Sequence, residues 1–184
     1  MKIFNFKLIL IVVAAIVAVA LMCVFMVQGA QNGAINREEQ IETAKSDIKV
    51  QEKRRADLIP NLVDCVKHYD AHEYNTLKDV IAARGTDTDA SVNEVKTMIN
   101  AVAEQYPQLQ SNTNYKQLMN ELSVTENMIA EYRSNFNKQV KEYNRYVRKF
   151  PTRLFLSMTG YETIGYEYLD YDVSSDAPSN LFGE

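Results

Sequence analysis

Twenty consecutive uncharged residues, Leu8 to Val27 (LILIVVAAIVAVALMCVFMV), constrain this chain more than anything else in it. As a helix they reach about 30 Å, the thickness of bilayer hydrocarbon. The run exceeds the roughly 7–15 residues of a signal-peptide core. It is therefore read as a retained transmembrane helix over residues 8–27, behind a short flank at 1–7. Cys23 follows Met22, where lipid attachment needs a small residue, and is read as apolar filler. Lys2 and Lys7 on one side, against Arg37 and Lys45 on the other, favour a single pass with the N-terminus inside and the larger domain outside the cell membrane. The bias is slight, because Lys49, Lys53, Arg54 and Arg55 lie further out on that same side. Ala14 and Ala18 form a small-xxx-small step at which two such spans can approach.

Beyond the span, Gly29, Asn32 and Gly33 suggest a hinge over residues 28–36. A heptad seam of the coiled-coil kind then begins: Ile41, Ala44, Ile48, Gln51, Arg55, Leu58, Leu62, Cys65 and Tyr69 alternate steps of three and four. Pro60 lies inside it without breaking its phase, which predicts a kink there, and the helix is expected to run on to Arg84, where Gly85 stops it. A second seam runs from Tyr115 through Leu118, Leu122, Thr125, Ile129, Tyr132, Phe136, Gln139, Tyr143 and Tyr146 to Phe150, capped by Asn112 or Asn114 and ended by Pro151. Between them lies a shorter amphipathic helix, about Ser91 to Gln105, with Val95, Met98, Ile99 and Val102 inward. No stretch alternates with period two long enough to make a sheet. The fold class is all-α: an N-terminal transmembrane helix followed by an antiparallel up-and-down bundle with two long helices, over residues 37–158.

Laying the seams antiparallel, with Arg84 level with Asn112, makes Arg55 face Gln139 with Glu142 one step away. A buried arginine needs a partner, so a charge-assisted contact from Arg55 to Gln139 or Glu142 is expected; exposure of Arg55 at the seam edge is the alternative. The same register brings Glu126 level with residues 67–70, in reach of Lys67 or His68.

Several blocks resemble the LemA family in order and spacing: Lys53-Arg54-Arg55-Ala56-Asp57-Leu58-Ile59-Pro60-Asn61-Leu62-Val63, His72-Glu73, Ala83-Arg84, Ala103-Glu104-Gln105-Tyr106-Pro107, Thr125-Glu126-Asn127, Tyr143-Asn144 and Phe150-Pro151. The resemblance covers about residues 33–166. It implies a bacterial or phage-borne membrane protein with one N-terminal span and a helical bundle, and says little about activity, since the family has no well-defined biochemical function. The chain departs from the family pattern at Gln31 to Arg37, where an aromatic-rich start is usual, and in its Tyr/Asp-rich tail.

Composition narrows the chemistry. A net charge of −4 speaks against a nucleic-acid-binding surface. Two histidines and two distant cysteines cannot build a cysteine-based zinc site. His68 and His72 share a helical face, and Glu126 is the third ligand that the register offers; structural pairing is the favoured reading of these three, so neither metal nor cofactor is expected. Cys65 sits on the apolar seam, no serine has a GxSxG setting and no glycine-rich phosphate loop occurs, so the chain is not expected to be an enzyme.

Near the end of the second long helix, Arg145, Arg148, Lys149 and Arg153 precede Leu154, Phe155 and Leu156. Two readings stand: a membrane-surface patch for anionic headgroups, or an apolar plug folded back on the bundle end with cations suiting a helix C-terminus. The tail, 159–184, carries Tyr161, Tyr166, Tyr168 and Tyr171 among Glu162, Glu167, Asp170, Asp172 and Asp176, and its composition favours a flexible segment over a partner-binding strip. The functional expectation is a single-pass envelope scaffold, with the lipid bilayer, other membrane or envelope proteins and a second copy of itself as partners. A lipid-organising protein acting through the basic patch is the alternative.

Overall fold

The computed structural model describes residues 2–86 and 88–170, with side chains from Leu8 onward except Ile9. Six helices follow one another: α1 (Lys2–Val66), α2 (Ala71–Arg84), α3 (Asp89–Gln105), α4 (Pro107–Ser111), α5 (Thr113–Arg148) and α6 (Thr152–Met158). No strand occurs among the described residues, so the fold is all-α.

The burial pattern of α1 changes where its composition changes. Leu10 to Met26 are exposed on every side, as expected of a segment long and apolar enough to cross a membrane. Burial then starts at Ala30 and continues at Ala34, Ile41, Ala44, Ile48, Gln51, Arg55, Leu58, Leu62 and Val66, the three-and-four stripe of the first seam. The helix does not break between the two regimes: residues 28–36 are helical throughout, so the expected hinge is absent. Pro60 also lies inside α1.

The chain forms two compact units. One comprises residues up to Glu38 with those from Phe136 onward, and the other runs from Glu39 to Asn135. Within each, α1 and α5 run antiparallel. The second unit pairs Arg54 with Glu121 and Glu52 with Arg133, and the first pairs Glu38 with Tyr143 and Ala30 with Tyr146. The core of the second unit gathers Leu58, Ile59, Leu62, Val63 and Val66 of α1, Leu77 of α2, Val92, Val95, Ile99, Val102 and Ala103 of α3, Leu109 of α4, and Tyr115 and Leu122 of α5.

The first long helix is shorter at its C-terminal end than the seam implies. It stops at Val66, and Asp70 starts α2 by accepting the amides of His72 and Glu73 (2.9 and 3.0 Å) and the Tyr106 hydroxyl (3.1 Å). The Glu73 amide foremost holds the Asp70 carboxyl below the ordinary carboxylate range. Gly85 ends α2 at φ 71, where a Cβ is disfavoured, and Thr88 caps α3 through the amide of Ser91. Asn112 caps α5 by accepting from Asn114 and Tyr115, as expected. Tyr115, Leu122, Thr125, Ile129, Phe136 and Tyr143 of the second seam are buried, whereas Phe150 is 82% exposed.

Asp70→Ala removes the α2 cap and the Tyr106 partner together. It is expected to speed amide exchange at His72 and Glu73 and to lower the thermal midpoint of the full chain, while exposed Asp57→Ala leaves both unchanged.

Candidate functional site

The unit that holds the apolar helix owes its shape to tyrosines. Tyr146 of α5 lies against Gly33 of α1, where an added Cβ would overlap the tyrosine oxygen, so the ring holds this position only against glycine and would have to shift against any other residue. Its hydroxyl reaches the carbonyls of Ala30 and Gly29 (3.3 and 3.4 Å). The Arg37 guanidinium sits 3.9 Å over the ring, held by a 2.8 Å bond to the Gly33 carbonyl, and Lys149 approaches the same ring at 4.9 Å. Gly33 thus allows a close approach where the sequence suggests a hinge.

One turn further from the span, the Glu38 carboxylate accepts the hydroxyls of Tyr143 (2.8 Å) and Tyr161 (2.9 Å). Tyr143 is fully buried, and its oxygen in turn accepts the Ile164 amide at 3.0 Å. Tyr166 packs edge-on against the Tyr143 ring, with centroids 5.2 Å apart. Asn144 donates to the Tyr166 carbonyl (3.2 Å), and Asn137 takes both backbone groups of Leu169 (3.0 and 2.8 Å). Residues 161–169 are therefore an ordered strap, entered through Gly160 at φ 66, and the flexible segment expected from composition is not found here. Tyr171, Asp172, Asp176 and the rest of the tail fall outside the described residues. Burial first, and the shared Glu38 carboxylate second, push the Tyr161 hydroxyl up to about 12 and the Tyr143 hydroxyl higher still.

The basic residues follow directly. Arg145 and Arg148 occupy the last turn of α5, Lys149 follows it directly, and Arg153 lies in the first turn of α6. The Tyr146 contact with Ala30 sets them level with the end of the apolar run at Val27. The three apolar residues beyond them divide: Leu156 is buried and closes the unit, Phe155 is half-buried, and Leu154 is exposed together with Phe150 and Met158. The plug reading thus describes Leu156, while Leu154 remains on the surface. A cavity of about 430 Å³ lies between the end of α5, α6 and the strap.

The second unit carries a network of charges. Arg55 is 4% exposed and donates to Asp89 at the start of α3, while Arg133 binds Asp89 (2.7 Å) and Glu52 (2.9 Å). Arg133 foremost, with Arg55 beside it, holds the Asp89 carboxyl below the ordinary carboxylate range.

A model of the LemA family matches residues 44–180. The chain belongs to the LemA family. It is 26% identical over 140 residues to Protein LemA of Metamycoplasma hominis, an alignment covering 70% of this chain and 64% of that protein. Over 184 aligned residues it is 23% identical to magnetosome protein MamQ of Magnetospirillum gryphiswaldense, covering 80% of this chain and 67% of that one. Magnetosome protein MamQ 2 of Paramagnetospirillum magneticum is 35% identical over 78 residues, 42% of this chain and 28% of its own. The chain thus spans about two thirds or less of the length of these relatives.

Two expected contacts of this LemA-family chain are corrected by the register. Arg55 is buried and paired as the seam requires, but its carboxylate is Asp89 and not Glu142; Gln139 and Glu142 belong to the other unit. Glu126 pairs with Lys96 of α3 at 2.7 Å, not with Lys67 or His68. Both differences have one cause: α1 ends at Val66, so the pairing of α1 with α5 shifts and α3 takes the side assigned to the helix continuation. That end also separates His68, in the turn, from His72, in α2, so they do not share one helical face, and His68, His72 and Glu126 make no metal-ligand group among the described residues. Cys65 is half-buried, and burial, with the Asp64 carboxylate next, pushes its thiol up and away from the reactive thiolate form. Sequence reasoning missed Glu38, Asn137 and Asp89; only Asp89, two residues before Ser91, carried a signal, as an acidic residue opening a helix.

Two outcomes follow. Asp89→Ala leaves the buried Arg55 without its counter-charge and is expected to cost about 1–2 kcal/mol in chemical denaturation, less than the roughly 3–5 kcal/mol of a fully buried pair because Asp89 is half exposed. The contribution of Asp89 is present above its unfolded value of 3.8 and lost as pH falls through its lower folded value. The strap behaves in the opposite sense. Tyr161 keeps its proton more tightly when docked, so its contribution is complete below 10 and is lost as pH rises towards about 12. A tyrosinate absorbance titration is expected to show Tyr143 and Tyr161 as the latest of the late-titrating hydroxyls, behind Tyr106 and Tyr115, and Glu38→Ala to bring those two forward.

Proposed function

We propose that this LemA-family chain is a non-enzymatic, single-pass scaffold of the bacterial cell envelope that acts through homo-oligomers and contacts with other membrane or envelope proteins, with its bulk on the extracytoplasmic side. The observation that carries this reading is the continuity of α1: an apolar helix exposed on all sides becomes, without a break, a helix packed through Ala30, Ala34 and Tyr146. A span so joined ties the residues packed on it, Tyr143 and Tyr146 among them, to the bilayer surface. Networks built from structural ion pairs and tyrosine hydrogen bonds, with no nucleophile paired to a base among the described residues, suit a presented surface better than turnover. The net charge of −4 supports protein or lipid partners over nucleic acid. Ala14 and Ala18, exposed on the apolar helix, supply a place for two copies to approach.

A second reading rests on a different observation. Arg145, Arg148, Lys149 and Arg153 stand level with the end of the apolar run beside exposed Phe150 and Leu154, an arrangement suited to an anionic lipid surface.

The test is light crosslinking in native membranes, mild detergent extraction and a mass measurement on the full chain. A discrete multiple of 21.0 kDa, or a stoichiometric envelope protein, is expected. Ala14→Leu with Ala18→Leu is expected to reduce any self-association. A lone chain in every preparation contradicts the scaffold reading and leaves the lipid reading.

A further inference from the structure

The arginines of the two units differ in what they face, whereas lysines lie on tyrosine rings in both, Lys67 and Lys78 on Tyr74 in the second. In the second unit Arg54, Arg55, Arg84, Lys96 and Arg133 each pair with a carboxylate. In the first, Arg37 and Lys149 lie on the Tyr146 ring, and Arg148 and Arg153 have no carboxylate partner among the described residues. Yet these two arginines, one from α5 and one from α6, line the same cavity of about 430 Å³. In a chain of net charge −4, two unneutralised guanidinium groups at one hollow form a local positive potential that a single anion relieves.

The remaining walls define the anion. Thr163 on the strap offers a hydroxyl, while Val147 and Leu156 give the hollow an apolar floor. The Ser157 hydroxyl donates its proton to the Leu154 carbonyl at 2.9 Å, which leaves it an acceptor. Two guanidinium forks with the Thr163 hydroxyl match the tetrahedral oxygens of a phosphate ester, and the Ser157 oxygen suits an alcohol group beside it. Position identifies the source. Arg148 lies two residues beyond Tyr146, whose hydroxyl contacts the Ala30 carbonyl, so the hollow sits at the level where the apolar run ends, with Phe150, Leu154 and Met158 exposed alongside. We propose that Arg148, Arg153 and Thr163 form a binding site for the phosphodiester headgroup of an anionic phospholipid, with Val147 and Leu156 beneath it, and that the docked strap completes the site. This rests on the second reading above and goes further by naming a pocket and its ligand class.

The test is native mass spectrometry of the detergent-solubilised full chain titrated with phosphatidylglycerol, phosphatidylcholine or inorganic phosphate. One phosphatidylglycerol per chain is expected, with phosphatidylcholine and phosphate binding far more weakly. Arg148→Gln with Arg153→Gln is expected to weaken phosphatidylglycerol by about tenfold. The corresponding lysine pair, which keeps charge without the fork, recovers part of that loss, and both pairs are exposed enough for the fold to persist. If the glutamine pair retains full affinity while Arg145→Gln with Lys149→Gln loses it, the surface reading stands and the pocket is wrong. Equal binding of both lipids overturns pocket and surface reading together. Phosphate binding as tightly as phosphatidylglycerol overturns the lipid assignment.

Discussion

The backbone ladder of α1 through residues 28–36 is the constraint on which this structure depends. The segment before it is exposed and apolar on every side, and it is long and apolar enough to cross a membrane. Everything that ties the rest of the protein to that segment must pass along the helix immediately after it. The chain meets this requirement with two small residues, Ala30 and Ala34, and with Gly33, which lets the Tyr146 ring close onto the backbone. A bulkier residue at Gly33 would push the ring away and remove the contact nearest the membrane.

The two units hold their helices together by different chemistry. In one, arginines meet carboxylates: Asp89 serves Arg55 and Arg133 at once, so the start of α3 is fixed to α1 and α5 through a single side chain. In the other, one carboxylate meets neutral hydroxyls: Glu38 takes Tyr143 and Tyr161, and the Tyr143 oxygen passes the connection on to the strap backbone at Ile164.

Much of this was legible in the sequence, and the misses have physical causes. The apolar run, both seams and the Asn112 cap depend on local composition and period, which a single chain displays directly. The end of α1 was missed because the hydrophobic phase continues past it through Leu77; the competing signal was Asp70 three residues before Glu73, a helix-start pattern that outweighs phase. From that one error came the shifted register, and with it the wrong partners for Arg55 and Glu126. Gly33 was read as a hinge because glycine serves flexibility and close approach alike, and only the facing ring decides between them. The strap was read as loose because its anchors act on backbone groups, through Asn137, Tyr143 and Asn144, and backbone recognition leaves little trace in the composition of the segment it holds.

The account stands most directly on the join between apolar helix and bundle. Amide hydrogen exchange across residues 28–36 of the full chain in lipid nanodiscs measures it without altering the protein. Continuous helix predicts slow exchange at each of these amides, comparable to that of residues 41–48 on the same helix. Exchange near the rate of an unstructured peptide over this stretch alone would mean a hinge, and would contradict the central claim that one unbroken helix leads from the apolar run into the residues packed on α5.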